Sequence, residues 1–411
     1  MWRLVYKWSI VKFYILVFCV ILPTFCHRMY FSIYYNQYLH MKGSDPNTYS
    51  RRVNDERRRQ AETFLTSNVV SSYPTLETQP SVRLAVGFVT VNRQPKMQDG
   101  SVYNPGYLLQ TVAAILREKP PFPTRLLVCN VDSDPLSNSD AVFLSSIVPV
   151  LSRYQHADEP IRGKTLSSRL QKEKDDYVYC LNQTLALNAE YILIIEDDAL
   201  ATQGTLDIIE HIIITKLEKK YHGFDLEDNN STKSIIKLFS PQYIQRDFFT
   251  TKPKRIIINI LELAGIGIVG ATTISLVHFI LVKKCRNPYV FHNMFFVANV
   301  ICCILAALAI SRPHRLELRR ISKHLYVMID ANDCCTPAVL YPKSAAMELM
   351  SYMQTDVDMK HGRMPLDGVM DEFVRERGYR QFAVEPNLFS HIGQHSTLHS
   401  DSKLKFLQNF I

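Results

Sequence analysis

The stretch Tyr191-Ile-Leu-Ile-Ile-Glu-Asp-Asp-Ala199 places five apolar or aromatic residues directly before three carboxylates. A continuous apolar run rich in β-branched residues is typical of a strand buried on both faces, as in the parallel sheet of an α/β domain. Glu196, Asp197 and Asp198 then follow the carboxyl end of this strand, where open α/β sheets bind their ligands. Adjacent negative charges repel one another, so the arrangement requires either water or a bound cation.

The acidic triplet therefore has two interpretations. Mn²⁺ and Mg²⁺ take oxygen ligands and can bridge carboxylates to the phosphates of a substrate, which predicts a metal-diphosphate site. The alternative is a solvated acidic turn that caps the following helix. The surrounding elements favour the metal site, because they make this strand a central one.

Strands and helices alternate on either side of the triplet. Apolar runs predict the first strands, and amphipathic periodicity predicts the helices between them, in the order strand 81–91, helix 107–118, strand 125–131, helix 175–187, strand 191–196 and helix 205–219. Strand character begins again at 235–239 and returns at 324–329 and 338–341. The alternation predicts an α/β fold of Rossmann type, with a mixed and mostly parallel sheet.

Three apolar segments approach the length of about 20 residues that a membrane-spanning helix needs. They cover roughly 8–26, 256–282 and 289–310. The first lacks a small-residue cleavage site and is predicted to be an uncleaved signal anchor. The second and third are separated by a short basic turn at 283–288 and predict a tandem transmembrane hairpin. We therefore expect a membrane-embedded, multi-pass chain with a cytosolic N-terminus and its polar domain on the opposite face.

These segments define the expected domain organisation. It comprises a cytosolic tip and anchor (1–27), a lumenal stem (28–80), the first part of the catalytic domain (81–250), the inserted hairpin (251–312) and the second part of the catalytic domain (313–411). The net charge of +8 comes from residues that are scattered or flank apolar segments. Since no aromatic-basic motif accompanies them, a nucleic-acid partner is not expected.

Four of the nine cysteines lie outside the apolar segments and the hairpin turn: Cys129, Cys180, Cys334 and Cys335. An oxidising lumen favours their pairing. Four cysteines permit three connectivities, of which we favour Cys129 with Cys180 and Cys334 with Cys335. The alternative for the adjacent pair is two reduced thiols that pack side by side. Glycosylation triplets begin at Asn182, Asn229 and Asn230 in the predicted lumenal regions.

An anchor, a lumenal α/β domain and an acidic triplet at a strand end together resemble a GT-A glycosyltransferase. In that fold a DXD-type motif holds Mn²⁺ against the diphosphate of a nucleotide sugar. Here the motif stands as Glu196-Asp197-Asp198, a variant of the pattern. With the inserted hairpin, the segments 87–93, 237–241, 334–342 and 391–396 resemble the Golgi N-acetylgalactosaminyltransferases that modify GPI anchors, the post-GPI-attachment to proteins factor 4 family.

The family resemblance implies transfer of GalNAc from UDP-GalNAc to the first mannose of the GPI glycan, with inversion and with Mn²⁺ or Mg²⁺. GPI-anchored proteins in the Golgi would be the acceptors. Metal ligands are expected at Glu196 and Asp198, with Asp197 at the nucleotide-binding motif and possible completion by His391. For His391, the competing interpretation is a satisfied structural histidine.

The remaining site residues follow from their positions. Strand-end residues Thr90, Val91, Asn92 and Arg93 are candidates for uridine and ribose contacts, and the Pro337-Ala338 turn is a candidate for the sugar pocket. Inversion needs a general base, for which Asp367 is the candidate. The alternative role of Asp367 is a helix N-cap.

Two other functions remain open from the sequence. One is a related GT-A enzyme with a different UDP-sugar or acceptor, for example GlcNAc transfer to N-glycans. The other is a non-catalytic multi-pass trafficking protein, in which the acidic triplet is a turn. Binding of UDP that depends on Mn²⁺ would separate an enzyme from the non-enzyme.

Overall fold

The computed structural model describes residues 11–67, 82–93, 102–155, 166–218, 233–248, 253–283, 293–332, 334–355 and 364–393. The chain divides into two compact units. The helical unit contains residues 1–46 and 241–320, and the sheet unit contains residues 47–240 and 321–410. The predicted domain boundaries at 251 and 312 remain predictions, because they were defined by membrane topology.

The described helices are α1 (Val11–Cys26), α2 (Gln37–His40), α3 (Pro46–Leu65), α4 (Tyr107–Leu116), α5 (Ser139–Leu144), α6 (Leu166–Leu185), α7 (Thr205–Ile212), α8 (Pro253–Lys283), α9 (Asn293–Ile310), α10 (Arg312–Leu316), α11 (Lys343–Thr355) and α12 (Leu366–Arg377). The strands are β1 (Leu84–Thr90), β2 (Thr124–Asn130), β3 (Val150–Ser152), β4 (Tyr191–Glu196), β5 (Ala199–Ala201), β6 (Ser234–Lys237), β7 (Val327–Asp330), β8 (Ala338–Pro342), β9 (Arg380–Glu385) and β10 (Phe389–His391).

Eight strands form one sheet in the order β3-β2-β1-β4-β8-β6-β9-β7. Strands β1 to β4 are parallel to one another, while β8 inserts antiparallel between β4 and β6, and β7 closes the edge antiparallel to β9. The prediction of a mixed, mostly parallel α/β sheet is confirmed. β5 and β10 form a separate antiparallel pair.

Both faces of the sheet are covered by helices. On one face, Leu193 and Ile195 of β4 belong to the apolar cluster that includes residues of α4, α5 and α7. On the other, Ile192 and Ile194 belong to the cluster that includes residues of α6, α11 and α12. β4 is therefore buried on both faces, as its continuous apolar run predicts.

Two disulfides lie in the sheet unit. Cys129 of β2 is bonded to Cys180 of α6, which ties the sheet to one of its covering helices. Cys334 is bonded to its neighbour Cys335 just before β8. Both favoured pairings are confirmed, and the alternative of reduced adjacent thiols is wrong.

Among the described residues of the helical unit, one helical stretch, Pro253–Ile280 of α8, is long and apolar enough to cross a membrane. The apolar part of α9, Phe295–Ile310, is shorter. The chain bends by 98° between it and the helical segment Arg312–Ile321 that follows. Gly267 lies against Ile304 of the second helix, and His278 lies near Phe295, so α8 and α9 run antiparallel. Membrane crossing by α9 and by the N-terminal α1 remains a prediction.

Some sequence predictions fall outside the described residues. These are the start of the anchor, the turn at 284–288 and the glycosylation triplets at Asn229 and Asn230. Asn182 is described and lies exposed on α6. That helix begins at Leu166, nine residues before the predicted start.

Candidate active site

The acidic triplet lies at the carboxyl end of β4, as the sequence predicts. β4 ends at Glu196, which is opposite Val89 of the neighbouring strand β1. The backbone N–H of Glu196 donates to the carbonyl of Pro337 at 2.7 Å, and that of Asp197 donates to the carbonyl of Val89 at 3.1 Å. Strands on both sides therefore fix the triplet, and the predicted sugar-pocket turn at Pro337-Ala338 adjoins it.

The C-terminal strand β10 brings a histidine to the triplet. His391 is opposite Ala199 in the β5–β10 pair, and the N–H of Ile392 donates to the carbonyl of Asp198 at 2.8 Å. Gly393 packs so closely on the Asp198 carboxylate that a Cβ at that position would collide with it. The register thus places His391 Nε2 at 3.3 Å from Asp198 Oδ2.

The structure brings the three predicted metal ligands together. One ligand atom from each of Glu196, Asp198 and His391 lies within 4.8 Å of the other two. Although 193 positions separate Asp198 from His391 in the chain, the β5–β10 pairing makes them neighbours. The arrangement matches the prediction of their proximity, while metal binding itself stays a prediction.

Arg93, predicted to contact the nucleotide, contacts the acidic residues in this structure. Its Nη1 lies 2.5 Å from Asp198 Oδ2, and its Nη2 lies 2.9 Å from Asp197 Oδ1. Burial alone would lower the pKa of Arg93, but Asp197 and Asp198 raise it above its ordinary value. The guanidinium therefore remains charged and offsets part of the negative charge.

The middle carboxylate is held by hydrogen bonds. Thr90 Oγ1 donates to Asp197 Oδ2 at 3.0 Å, and the N–H of Val91 lies 3.4 Å from the same oxygen. Thr111 Oγ1 donates to the backbone carbonyl of Asp197 at 2.8 Å. Together with its ion pair to Arg93, these hydrogen bonds connect Asp197 to the end of β1.

Burial and mutual repulsion perturb the protonation of the cluster. Burial, followed by the charge of Asp198, raises the pKa of Glu196 to about 7. Burial likewise raises the pKa of Asp197 to about 6 against the opposing effect of Arg93. Burial would raise the pKa of Asp198 too, but Arg93 and His391 hold it below its usual range. Asp198 is thus the carboxylate that stays charged to the lowest pH, in a site whose burial and mutual repulsion oppose further negative charge.

His391 responds to the same charges in the opposite direction. Burial would lower its pKa, but the Asp198 carboxylate raises it to about 9. The imidazole is consequently protonated at neutral pH while it contacts Asp198. Since a histidine binds a metal only through an unprotonated nitrogen, metal binding here requires the ring to release that proton.

The residues of the cluster fit a divalent cation. Asp198 Oδ1 is buried and has no hydrogen-bond partner within the described residues. Carboxylate oxygens suit Mg²⁺ and Mn²⁺, and an imidazole can complete the set for a transition metal such as Mn²⁺. A cation would also neutralise the repulsion that raises the pKa of Glu196.

The strand-end residues line a cleft beside the triplet. Thr90, Val91, Asn92 and Arg93 line it together with residues that include Tyr107, Asn138 and Asp140. The backbone N–H of Asn92 donates to Asp132 Oδ2 at 2.9 Å, and its side chain donates to the carbonyl of Ser137. Asp132 was not predicted. The signal that could have identified it is its position just after β2, at the same edge of the sheet.

Asp367 lies in the first turn of α12. The helix begins at Leu366 with Pro365 in the cap position, so the N-cap interpretation of Asp367 is wrong. The N–H of Cys335 lies 3.4 Å from Asp367 Oδ2, and the N–H of Gly368 donates to Oδ1 at 2.8 Å. The candidate base is therefore tethered to the Cys334–Cys335 turn that leads into β8.

A further acid, Glu173 of α6, was missed by sequence reasoning. Burial, followed by the charge of Asp367, raises the pKa of Glu173 to about 7. The charge of Glu173 also contributes to the raised pKa of Glu196. Glu173 thus interacts electrostatically with both the candidate base and the candidate metal site. Its position on a charged helix gives no sequence signal that separates it from a solvated residue.

A comparison with known protein families identifies the chain. The family model described as GPI-N-acetylgalactosamine transferase PGAP4 matches residues 84–390. The match begins at the first residue of β1, ends one residue before His391 and covers well over half of the chain. It contains every other predicted site residue. The chain therefore belongs to the GPI-N-acetylgalactosamine transferase PGAP4 family.

Proposed function

We propose that this chain transfers GalNAc from UDP-GalNAc to the first mannose of the GPI glycan on GPI-anchored proteins, with inversion at the anomeric carbon. The family supports a glycosyltransferase that acts on GPI anchors. We place the catalytic residues in the Golgi lumen, in a multi-pass protein with a cytosolic N-terminus. A membrane-spanning helix would hold the enzyme beside acceptors whose lipid lies in the bilayer.

The observation that carries the proposal is the convergence of Glu196, Asp198 and His391. Two of these residues come from the end of the central strand β4, and the third comes from the distant β10. They would hold Mn²⁺ or Mg²⁺. When bound, the ion supplies positive charge that stabilises the leaving diphosphate. The buried and unpaired Oδ1 of Asp198 supports a ligand at this position.

The neighbouring residues would orient the donor. In this proposal, Thr90, Val91, Asn92 and Arg93 bind the uridine and ribose at the end of β1. Asp197 holds Arg93 through their ion pair of 2.9 Å. Pro337 and Ala338 line the pocket for the transferred sugar, next to Glu196. Rigid support of this kind is needed because small displacements of reacting groups cost much of the rate.

Asp367 would act as the general base. Its carboxylate accepts the proton of the attacking mannose hydroxyl while the new glycosidic bond forms on the face opposite the departing UDP. The hydrogen bonds from Cys335 and Gly368 hold this carboxylate in a fixed orientation. The proton ends on Asp367 and the electron pair of the broken bond ends on the diphosphate.

The test is rescue of cells that lack the native enzyme. Full-length wild type, Asp198→Ala and the matched control Asp207→Ala are expressed at equal levels, and GPI glycans are analysed by mass spectrometry. The side chain of Asp207 is half exposed, so this control removes a carboxylate away from the cluster. We expect the GalNAc branch with wild type and control and its absence with Asp198→Ala. A normal branch in the Asp198→Ala cells would refute the metal site.

The donor is tested with purified full-length protein in detergent. Calorimetry measures UDP binding with and without Mn²⁺, and transfer is assayed with UDP-GalNAc and UDP-GlcNAc. We expect binding that depends on Mn²⁺ and a preference for UDP-GalNAc. Equal transfer from UDP-GlcNAc would contradict the proposed donor, and an absence of UDP binding would contradict the enzyme.

A further inference from the structure

Lys237 ends strand β6 with its side chain inside the fold. The side chain is 2% exposed, and the residue is opposite Val339 of β8 and Ala383 of β9. A buried ammonium is costly unless charged or polar groups surround it. Lys237 also opens the segment 237–241, to which the proposed function gives no role. The partners of its ammonium therefore indicate what the residue does.

The ammonium reaches two elements that lie far from β6 in the chain. Lys237 Nζ donates to the carbonyl of Cys334 at 2.7 Å and lies 3.5 Å from the carbonyl of Asn332. It also lies 3.5 Å from Asp371 Oδ1 on α12, across 134 positions of the chain. Cys334 begins the disulfide-bonded turn that leads into β8. One buried cation thus connects β6 both to this turn and to α12.

Both connections adjoin Asp367. The N–H of Cys335 donates to Asp367 Oδ2 at 3.4 Å, so the turn that Lys237 holds also holds the candidate base. Asp371 follows Asp367 by four positions on α12 and therefore shares its helix face. Cys335 has a backbone φ of +62°, a conformation that persists only where surrounding contacts enforce it. The hydrogen bond from Lys237 to Cys334 provides such a contact.

We propose that Lys237 is a positioning residue for Asp367: its ammonium ties the Cys334–Cys335 turn to α12 and so fixes the orientation of the candidate base. The inference rests on the proposed role of Asp367. Because its side chain is almost fully buried, Lys237 acts through these contacts and not on the substrate. The competing interpretation is a cation that only stabilises the sheet, and such a cation would not act through Asp367.

The experiment measures steady-state transfer by full-length enzyme in detergent, with UDP-GalNAc as donor and a GPI-anchored protein without the GalNAc branch as acceptor. Lys237→Met keeps a long apolar side chain but removes the ammonium. It should lower kcat by about 10- to 100-fold, as displacement of a reacting group does, with the KM for UDP-GalNAc changed by no more than about twofold. Lys233→Met is the matched control. This exposed lysine donates to the carbonyl of Arg377 at the other end of α12, and its loss should leave kcat unchanged.

A double variant shows whether Lys237 acts through Asp367. Lys237→Met added to Asp367→Ala should cause no further loss of kcat, because the effects of residues that act as a unit are not additive. A further loss as large as the one that Lys237→Met causes alone would overturn the inference and leave Lys237 as a structural cation. Wild-type kcat in Lys237→Met would also overturn it.

Asp367→Ala alone distinguishes the failure of the inference from that of the proposed function. If Asp367→Ala retains wild-type kcat, the base assignment fails and the inference fails with it. If Asp367→Ala is slow while Lys237→Met is unaffected, the inference alone fails. Should Lys237→Met not fold, Asp371→Ala decides. This substitution removes the contact of Lys237 with α12 and should lower kcat by about 10-fold, and wild-type kcat would refute positioning.

Discussion

Each unit contains a cluster of charged side chains, and the carboxylates of the two clusters have different partners. In the helical unit, Arg315 donates to both oxygens of Asp247, at 2.5 and 3.3 Å, and Arg312 donates to Glu262 at 3.2 Å. Each acid there has an arginine partner. In the sheet unit, Asp197 and Asp198 share Arg93, His391 contacts Asp198, and Glu196 lies beside them without an ion pair of its own among the described residues.

The difference teaches how a functional cluster can be distinguished from a structural one. Both oxygens of Asp247 are bonded, whereas Asp198 Oδ1 is buried without a hydrogen-bond partner in the described residues. Buried polar atoms are nearly always paired, and an unpaired carboxylate oxygen, unlike the unpaired N–H of Arg315 Nε, can accept a bond from a cation. The cluster of the helical unit stabilises the fold, and that of the sheet unit retains capacity for a cation.

The largest expected effect comes from Glu196→Gln. The substitution removes a candidate metal ligand and should lower the rate of GalNAc transfer by more than about 100-fold, beyond the usual loss for residues that only support a ligand. The melting temperature should stay constant or rise, because a carboxylate that Asp198 repels becomes neutral. Transfer assays and scanning fluorimetry on the same preparation measure both quantities.

Glu190→Gln is the control for that substitution. Its side chain is 60% exposed and lies 3.8 Å from Arg83, so neither rate nor melting temperature should change appreciably. Wild-type transfer by Glu196→Gln would remove Glu196 from the metal site. A large fall in its melting temperature would instead place this cluster with the structural one.

Asp247→Asn should have the reverse effect on stability. The substitution leaves the Arg315 guanidinium buried without its charged partner, which costs about 3–5 kcal/mol of unfolding free energy. Chemical denaturation of the detergent-solubilised protein measures this loss. The double variant Asp247→Leu with Arg315→Met removes both charges and should recover much of the stability. If Asp247→Asn is as stable as wild type, the pair is not structural.

Gly393→Ala tests how closely β10 must approach the acidic cluster. A Cβ at this position would collide with the Asp198 carboxylate, so Asp198 or the backbone after His391 must move. A displaced ligand should lower the transfer rate by about 10- to 100-fold. Gly265→Ala is the control, because a Cβ there meets nothing within 4 Å. An unchanged rate in Gly393→Ala would show that the cluster tolerates the shift.

The sequence predicted the features of the site that arise locally. The apolar run predicted the buried strand β4, and the triplet that follows it marked the carboxyl end of that strand. Both signals lie in consecutive residues, so the sequence alone contains them. The order of the strands was not predictable. β8 inserts antiparallel beside β4, although the two strands are far apart in the chain. Buried strands share one apolar pattern, so that pattern does not specify which strands pair.

Long-range side-chain partners were also beyond sequence reasoning. Arg93 pairs with Asp198 across 105 positions, and a lone arginine at a strand end carries no signal for that pairing. Glu173 lies among charged residues on a helix, a pattern that predicts a solvated face. The burial of Glu173 depends on its packing near α12, and the fold alone determines that packing.

The smallest expected effect concerns Glu173, a third kind of buried charge that lies beside another acid. The pKa of Glu173 is raised to about 7 in the fold, so its unfavourable contribution is absent below about pH 4.5 and grows until pH passes about 7. Glu173→Gln should therefore raise the unfolding free energy by about 1–2 kcal/mol at pH 8 and by little near pH 4.5. Denaturation of wild type and variant at both pH values measures this difference. A gain of equal size at both would show that packing, and not charge, sets the stability of the variant.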